Sequence, residues 1–151
     1  ILDLRSDPAA LRSQALELSR RMRHRGPDWS GVWANDKAIL VHERLAIVGV
    51  DSGAQPLLSP DGMQVLAVNG EIYNHRTLRA PREASYAFAT HSDCEIILPL
   101  YRERGADFLN QLEGMFAFVL WDEQRRRWLI GRDPIGIVPL YWGRDAHGNL
   151  Y

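Results

Sequence analysis

The stretch Met115-Phe116-Ala117-Phe118-Val119-Leu120-Trp121 decides the fold class. Seven consecutive apolar residues, rich in aromatic and branched side chains, suit a strand and fall far short of the roughly 20 needed to cross a bilayer. Side chains alternate between the two faces of a strand, so this one is apolar on both. Such a strand needs cover on both sides, from another sheet and from helices. The polar run 122–126 then gives a turn, and Arg127-Trp128-Leu129-Ile130-Gly131 reads as the returning strand of a hairpin.

Downstream, Asp133-Pro134-Ile135-Gly136 is a turn, residues 137–142 read as a strand, 145–149 as a turn, and Leu150-Tyr151 as the start of another strand. Upstream, Ser6-Asp7-Pro8 starts a helix with Leu11, Ala15, Leu18 and Met22 on one face, closed by Gly26-Pro27. Residues 31–34 and 37–42 read as strands about an Asn35-Asp36 turn, and 44–50 as a further extended run. Ser59-Pro60-Asp61-Gly62 is a turn before a strand over 63–68 that ends at Asn69-Gly70. Residues 74–79 suit a short helix, and 80–90 a loop with a short strand. Ser92-Asp93-Cys94-Glu95 has capping-box spacing before a helix that Pro99 should kink and Gly105 should end, with one more short helix over 107–112. Short connections between neighbouring strands favour antiparallel pairing. The fold class expected is α+β.

The chain has 151 residues, a length that fits one domain. At 46% hydrophobic and 25% charged it has the composition of a globular protein rather than a disordered one. A formal net charge of -1 leaves no global field for nucleic acid or an anionic membrane, so neither is expected as a partner. One cysteine, Cys94, excludes an internal disulfide and a typical zinc quartet, and makes a reducing, cytoplasmic location the default. No metal site is expected. There is no G-x-S-x-G elbow, no phosphate loop of the G-x-x-x-x-G-K-[ST] kind and no G-x-G-x-x-G fingerprint. The chain opens at Ile1 inside an apolar run and closes on an apolar pair, so a piece of a longer protein is expected.

Four polar clusters are not explained by apolar patterning: Arg23-His24-Arg25-Gly26-Pro27-Asp28, His42-Glu43-Arg44, Asn69-Gly70-Glu71 and Ser92-Asp93. Asn69-Gly70 after a strand could aim a side-chain amide and a backbone N–H at one oxyanion, although on spacing alone a simple turn is favoured. A guanidinium in apolar surroundings, Arg44, needs an anion, either a ligand carboxylate or a protein one; the protein ion pair is favoured for an isolated case. Glu71 and Asp93 could together hold an ammonium group, while Asp93 alone is equally explained as negative charge in the first turn of a helix. Cys94, on an apolar helix face, is read as a core residue. The basic run 20–25 reads as a solvated helix face, since no aromatic platform accompanies it.

Taken in order, these segments, with Val68-Asn69-Gly70-Glu71-Ile72-Tyr73-Asn74, Glu113-Gly114-Met115-Phe116-Ala117-Phe118 and Gly131-Arg132-Asp133-Pro134-Ile135-Gly136, resemble the class II glutamine amidotransferases. The form His42-Glu43-Arg44-Leu45-Ala46-Ile47-Val48 is most similar to the glutaminase domain of glutamine-dependent asparagine synthetases of the bacterial B type. The resemblance runs over essentially the whole chain, so residues 1–151 are expected to be one glutaminase domain, short of its N-terminal start and without the C-terminal synthetase domain. It implies an N-terminal-nucleophile hydrolase fold: two antiparallel sheets facing each other with helices outside, a four-layer α/β/β/α sandwich.

The chemistry implied is hydrolysis of glutamine to glutamate and ammonia by an N-terminal cysteine whose own α-amine, titrating at about 7.7–8.0, serves as the base. Asn69 and the Gly70 N–H resemble the oxyanion hole. Arg44 resembles the clamp on the substrate α-carboxylate, and Glu71 and Asp93 the acceptors for its α-ammonium. Leu45, Ala46, Ile47 and Val48 resemble the pocket wall beside that arginine. The nucleophilic cysteine is expected just upstream of Ile1, so that this piece binds glutamine without hydrolysing it. The alternative is a catalytically dead glutamine-binding or structural module. The implied partners are glutamine, the synthetase domain of the same parent chain and a second copy in a homodimer. No cofactor is implied in this domain; ATP and Mg belong to the synthetase domain, which would amidate aspartate.

Overall fold

A computed structural model describes residues 1–48 and 51–151. The chain forms two compact units, one made of Ile1–Ala46, Ala54–Pro56 and Tyr141–Tyr151, the other of Ile47–Gly53 and Leu57–Leu140. The described residues hold helices and two antiparallel sheets, of two and four strands, which gives the α+β class expected.

In the first unit, helix α1 (Pro8–Met22) begins as its sequence requires: Asp7 accepts from the N–H groups of Ala9 and Ala10, and Pro8 takes the first helical position, where a missing N–H costs nothing. Leu11, Ala15 and Ser19, one row at a spacing of four, are its buried residues. Leu18 and Met22, expected on the same face, are exposed. Counted at 100° per residue they do lie on the face of that row, within about 60° of its centre, so the face is as expected and only the cover at these two positions is missing. The unit's two-stranded sheet pairs β1 (Trp29–Ala34) with β2 (Ile39–Arg44), from Trp29↔Arg44 to Ala34↔Ile39. Its turn is set by Asn35, whose side-chain oxygen accepts from the N–H groups of Lys37 and Ala38. Leu11, Ala15 and Ile39 form the unit's small core, with Ile1, Leu4 and Val41 against it. Leu2 bridges both Ala38 and Leu150.

The second unit is built on a four-stranded sheet in the order β3 (Leu57–Leu58), β4 (Gln64–Ile72), β5 (Gly114–Asp122), β6 (Arg127–Arg132). Phe116, Phe118 and Leu120 of β5 join Leu66, Val68 and Ile72 of β4 in its core. Ala117 and Trp121, on the opposite face of β5, are buried too, at 7% and 1% exposure, so the doubly apolar reading holds. Each such aromatic side chain contributes about 1.5–3 kcal/mol on burial.

Helix α2 (His75–Arg79) follows β4, and α3 (Ile97–Arg104) follows a 3-10 turn at Asp93–Ile96. Ile97, Leu98 and Tyr101 of α3 enter the core. Pro99 is the third residue of α3, inside its first turn, where a missing N–H breaks no bond within that α-helix; the residues before it, expected to be helix, are the 3-10 turn Asp93–Ile96. The capping box is half formed: Ser92 Oγ accepts from Cys94 N, but Glu95 does not reach back to Ser92. Its carboxylate is taken by the N–H groups of Ala89 and Thr90, at 2.7 Å each, and by the Thr90 hydroxyl. Gly105 ends the helix with φ 58°. The buried Asp122 carboxylate ties α3 to the hairpin, accepting from Tyr101 Oη at 2.7 Å and from Arg125 N at 2.9 Å.

Three expected strands are absent. Residues 80–90 contain a 3-10 turn and no strand. Residues 137–142 form no strand because a side chain takes the donors a ladder would use: Ile137 N donates to Asp133 Oδ1 and Val138 N to Asp133 Oδ2. Of the run 44–50, the described residues after Arg44 join no strand. Strand β2 stops at Arg44, Leu45 to Val48 lie outside any strand, and Gly49 and Val50 fall outside the described residues.

Candidate functional site

Strand β4 does not end at Asn69-Gly70, as the turn-prone dipeptide suggests; it continues to Ile72, in register with β5 down to Gly114. Gly70 makes this possible. Its φ is 146°, in the region that favours glycine, and a Cβ there would collide with the Met115 carbonyl oxygen across the ladder. Asn69 is exposed and Glu71 half-buried. They share the face of β4 opposite Val68 and Ile72, which are in the core.

The hydrogen-bond alternation shows where Gly70 points. Phe116 exchanges its N–H and C=O with Asp133: Asp133 N donates to Phe116 O at 2.8 Å, and Phe116 N to Asp133 Oδ2 at 3.3 Å. In an antiparallel ladder the pairs alternate between bonded and non-bonded, so Gly70↔Phe116 is a non-bonded pair. The N–H and C=O of Gly70 therefore project from the other edge of β4. Along that edge β3 pairs with Val65 and Leu66, Ser59 bonds Gln64, and Ile72 N donates to Asp93 Oδ2 at 2.7 Å. The Gly70 carbonyl oxygen has Cys94 Sγ at 3.5 Å. The Gly70 N–H is left pointing outward with no strand opposite it among the described residues.

Asp93 is buried at 5% exposure and is brought to this end of β4 by its bond to Ile72 N. The preceding loop is fixed by Glu95 on Ala89 and Thr90, and by Thr90 Oγ1 accepting from Ser92 N at 3.0 Å. His75, not singled out in the sequence, lies near enough to Asp93 to feel its charge. Burial holds the His75 imidazole below its ordinary pKa; Asp93 pulls it up, and Arg76 and Arg79 push it down. Its Nδ1 is buried without a hydrogen-bond partner among the described residues. Nothing local could have signalled this, because Asp93 meets α2 only through the fold. Cys94 is buried in the core, as expected.

The first unit carries Arg44, Leu45 and Ala46. Arg44 closes β2 at 8% exposure. Glu43 faces the other side of the strand, where Ser19 Oγ and Ser30 Oγ each donate to it at 2.5 Å. Burial would raise the Glu43 pKa, but those two hydroxyls, with Arg23 and His42, hold it below the usual carboxylate range. His42 is pushed down to about 4, first by desolvation and then by Arg44, so it is neutral at pH 7. The loop after α1 braces this end of β2. Gly26 lies so close beneath the Glu43 carbonyl that a Cβ would overlap it. Asp28 N donates to Arg44 O at 3.1 Å, and Asp28 Oδ2 accepts from Ala46 N at 2.9 Å. The chain beyond is not the strand expected, and Leu45 and Ile47 on it are 57% and 59% exposed.

Among the described residues no group of three or more His, Cys, Asp or Glu side chains could hold a metal ion. No helix among them is long and apolar enough to cross a membrane.

Along residues 1–151 the chain matches the glutamine amidotransferase domain family. It is 60% identical over 151 residues to asparagine synthetase B (glutamine-hydrolyzing) of Escherichia coli strain K12, an alignment covering 100% of this chain and 27% of that protein. It is 51% identical over 153 residues to a probable glutamine-hydrolyzing asparagine synthetase of Dictyostelium discoideum, covering 100% of this chain and 28% of the relative. With asparagine synthetase (glutamine-hydrolyzing) 1 of Saccharomyces cerevisiae the identity is 56% over 133 residues, 88% of this chain and 23% of the relative. The chain thus spans about a quarter of the length of these relatives. The match along the whole chain shows that it belongs to the glutamine amidotransferase domain family.

Proposed function

We propose that these residues are the glutaminase part of a glutamine-hydrolysing asparagine synthetase, releasing ammonia for a synthetase domain of the same longer chain. The observation that carries this reading is the outward Gly70 N–H on the edge of β4, beside the exposed Asn69 and with Asp93 held one step further along by Ile72. A backbone donor in a rigid strand next to a side-chain amide suits the oxyanion of acyl transfer, where preorganised donors lower the barrier most.

In this reading Asn69 and the Gly70 N–H hold the oxyanion. Arg44 takes the substrate α-carboxylate through its planar fork. Glu71 and Asp93 accept the α-ammonium; Asp93 does so through Oδ1, since Oδ2 is engaged with Ile72. Leu45, Ala46, Ile47 and Val48 flank the arginine as loop, not strand. The nucleophile is an N-terminal cysteine outside these 151 residues. Its thiolate attacks the side-chain amide carbon, the tetrahedral intermediate collapses to a thioester with loss of ammonia, and water releases glutamate. Cys94 cannot serve: it is buried at 2% exposure, and its nitrogen is a peptide N–H donating to Ser92 Oγ rather than a free amine. In the same reading ATP and Mg belong to the synthetase domain. A homodimer and a cytoplasmic setting belong to the same reading.

Two measurements test it. A polypeptide of these 151 residues is expected to bind glutamine by calorimetry, and Arg44→Ala to abolish the binding with the fold intact by circular dichroism; unchanged affinity removes Arg44 from the site. The same polypeptide is expected to release no ammonia from glutamine, and release above the buffer blank contradicts the assignment of the nucleophile to another segment.

A further inference from the structure

We infer that Asp28 is a positioning residue for the substrate carboxylate, acting through the backbone on either side of Arg44; this rests on the glutaminase reading. Arg44, paired with Trp29, is the last residue of β2, and beyond it the ladder no longer fixes the chain. Two bonds from one residue take over. The Asp28 N–H donates to the Arg44 carbonyl, and the Asp28 carboxylate accepts from the N–H of Ala46, two residues on. Together they close a clasp around Arg44-Leu45-Ala46 and set the direction in which the strand ends.

The clasp is itself held. Gly26, two residues before Asp28, packs against the Glu43 carbonyl at a distance no other residue could adopt. Asp28 cannot drift from β2 without opening that contact. On the other side of β2, Ser19 and Ser30 hold the Glu43 carboxylate, which fixes the strand's rotation about its own axis. The guanidinium is thus aimed by constraints at residues 43, 44 and 46, and Asp28 supplies two of them. Leu45, the residue inside the clasp, is exposed and buries little that could hold the turn without it.

The side-chain bond can be removed without touching Arg44. In the full-length protein, Asp28→Ala is expected to raise the KM for glutamine roughly fivefold, the loss of one charge-assisted hydrogen bond to a partly exposed amide. Turnover at saturating glutamine should stay within about twofold, because Asp28 touches no reacting group. Asp28→Asn keeps an acceptor oxygen in place and is expected to restore the parental KM. Asp28→Glu keeps the charge but displaces it by a methylene, and should raise KM, so the test survives if the alanine variant does not fold. A parental KM in both folded variants overturns the inference, as does an equal KM rise in Asp28→Asn, which would assign the effect to charge rather than to the bond. Loss of turnover with unchanged KM would mark a merely structural residue and overturns it too. A parent protein that releases no glutamate from glutamine would instead refute the glutaminase reading, a failure seen before any variant is made.

Discussion

Replacing Gly70 by alanine tests the geometry of the β4 edge. Two costs arise. The first is conformational: at φ 146° an alanine is strained by about 1–3 kcal/mol. The second is steric, because the new Cβ would fall on the Met115 carbonyl oxygen and the Phe116 Cα of the neighbouring strand. Backbone in a paired strand cannot swing aside like the end of a side chain, so β4 and β5 must part locally. That weakens the bonded pairs on either side, Asn69↔Ala117 and Glu71↔Met115, at about 1 kcal/mol for each hydrogen bond. Gly105 isolates the first cost, since it also has positive φ, 58°, but a Cβ there meets nothing within 4 Å. Gly105→Ala should therefore cost about 1–3 kcal/mol, and Gly70→Ala at least about 2 kcal/mol more. Urea unfolding of parent and both variants, followed by tryptophan fluorescence and circular dichroism, measures the difference. Equal destabilisation in the two variants would refute the close approach of β4 to β5 at Gly70, and with it the outward direction assigned to the Gly70 N–H.

Further outcomes follow from the buried polar groups. Tyr101→Phe removes a donor to Asp122 and an acceptor for Arg127 Nε, and should destabilise by about 1–2 kcal/mol in the same assay. His42, with a folded pKa near 4 against an ordinary 6.5, takes up its proton more readily when unfolded. Stability should therefore fall as pH drops from about 6.5 to about 4, by up to about 3 kcal/mol, and His42→Gln should flatten that limb of the pH profile. Asp133 acts in a lower window. Desolvation would raise its pKa, but the N–H groups of Ile137, Val138, Phe116 and Gly136 hold it below the ordinary 3.8. Its stabilisation is present above that value and is lost as pH falls through the lower folded pKa, so Asp133→Asn should weaken the acid dependence there while leaving the His42 limb unchanged.

Local pattern carried the elements well where local chemistry decides them. The β5–β6 hairpin, the Asp7 cap of α1 and the Asn35 turn were each legible from a few adjacent residues. The differences arise where a distant group competes. Asn69-Gly70 reads as a turn because that dipeptide commonly is one; only the Met115 carbonyl, on another strand, makes a glycine necessary in mid-ladder. Residues 137–142 have strand composition, yet Asp133 takes the backbone donors of Ile137 and Val138. The Glu95 of the capping box is captured by Ala89 and Thr90. For the candidate site, Arg44, Asn69, Gly70, Glu71 and Asp93 are legible as residues that apolar patterning does not explain, although Asn69, Gly70 and Glu71 lie within β4 rather than at its end. The Asp28 clasp and the neighbourhood of His75 are not legible, since each depends on a contact between segments far apart in sequence.

The most direct test of the oxyanion assignment is the steady-state rate of glutamate release from glutamine by the full-length protein and by its Asn69→Ala form. Removing one preorganised oxyanion donor is expected to lower kcat by about 100- to 1000-fold with little change in KM. An Asn69→Ala protein that folds and turns over glutamine at the parental rate would contradict the placement of the reacting carbonyl at the β4 edge.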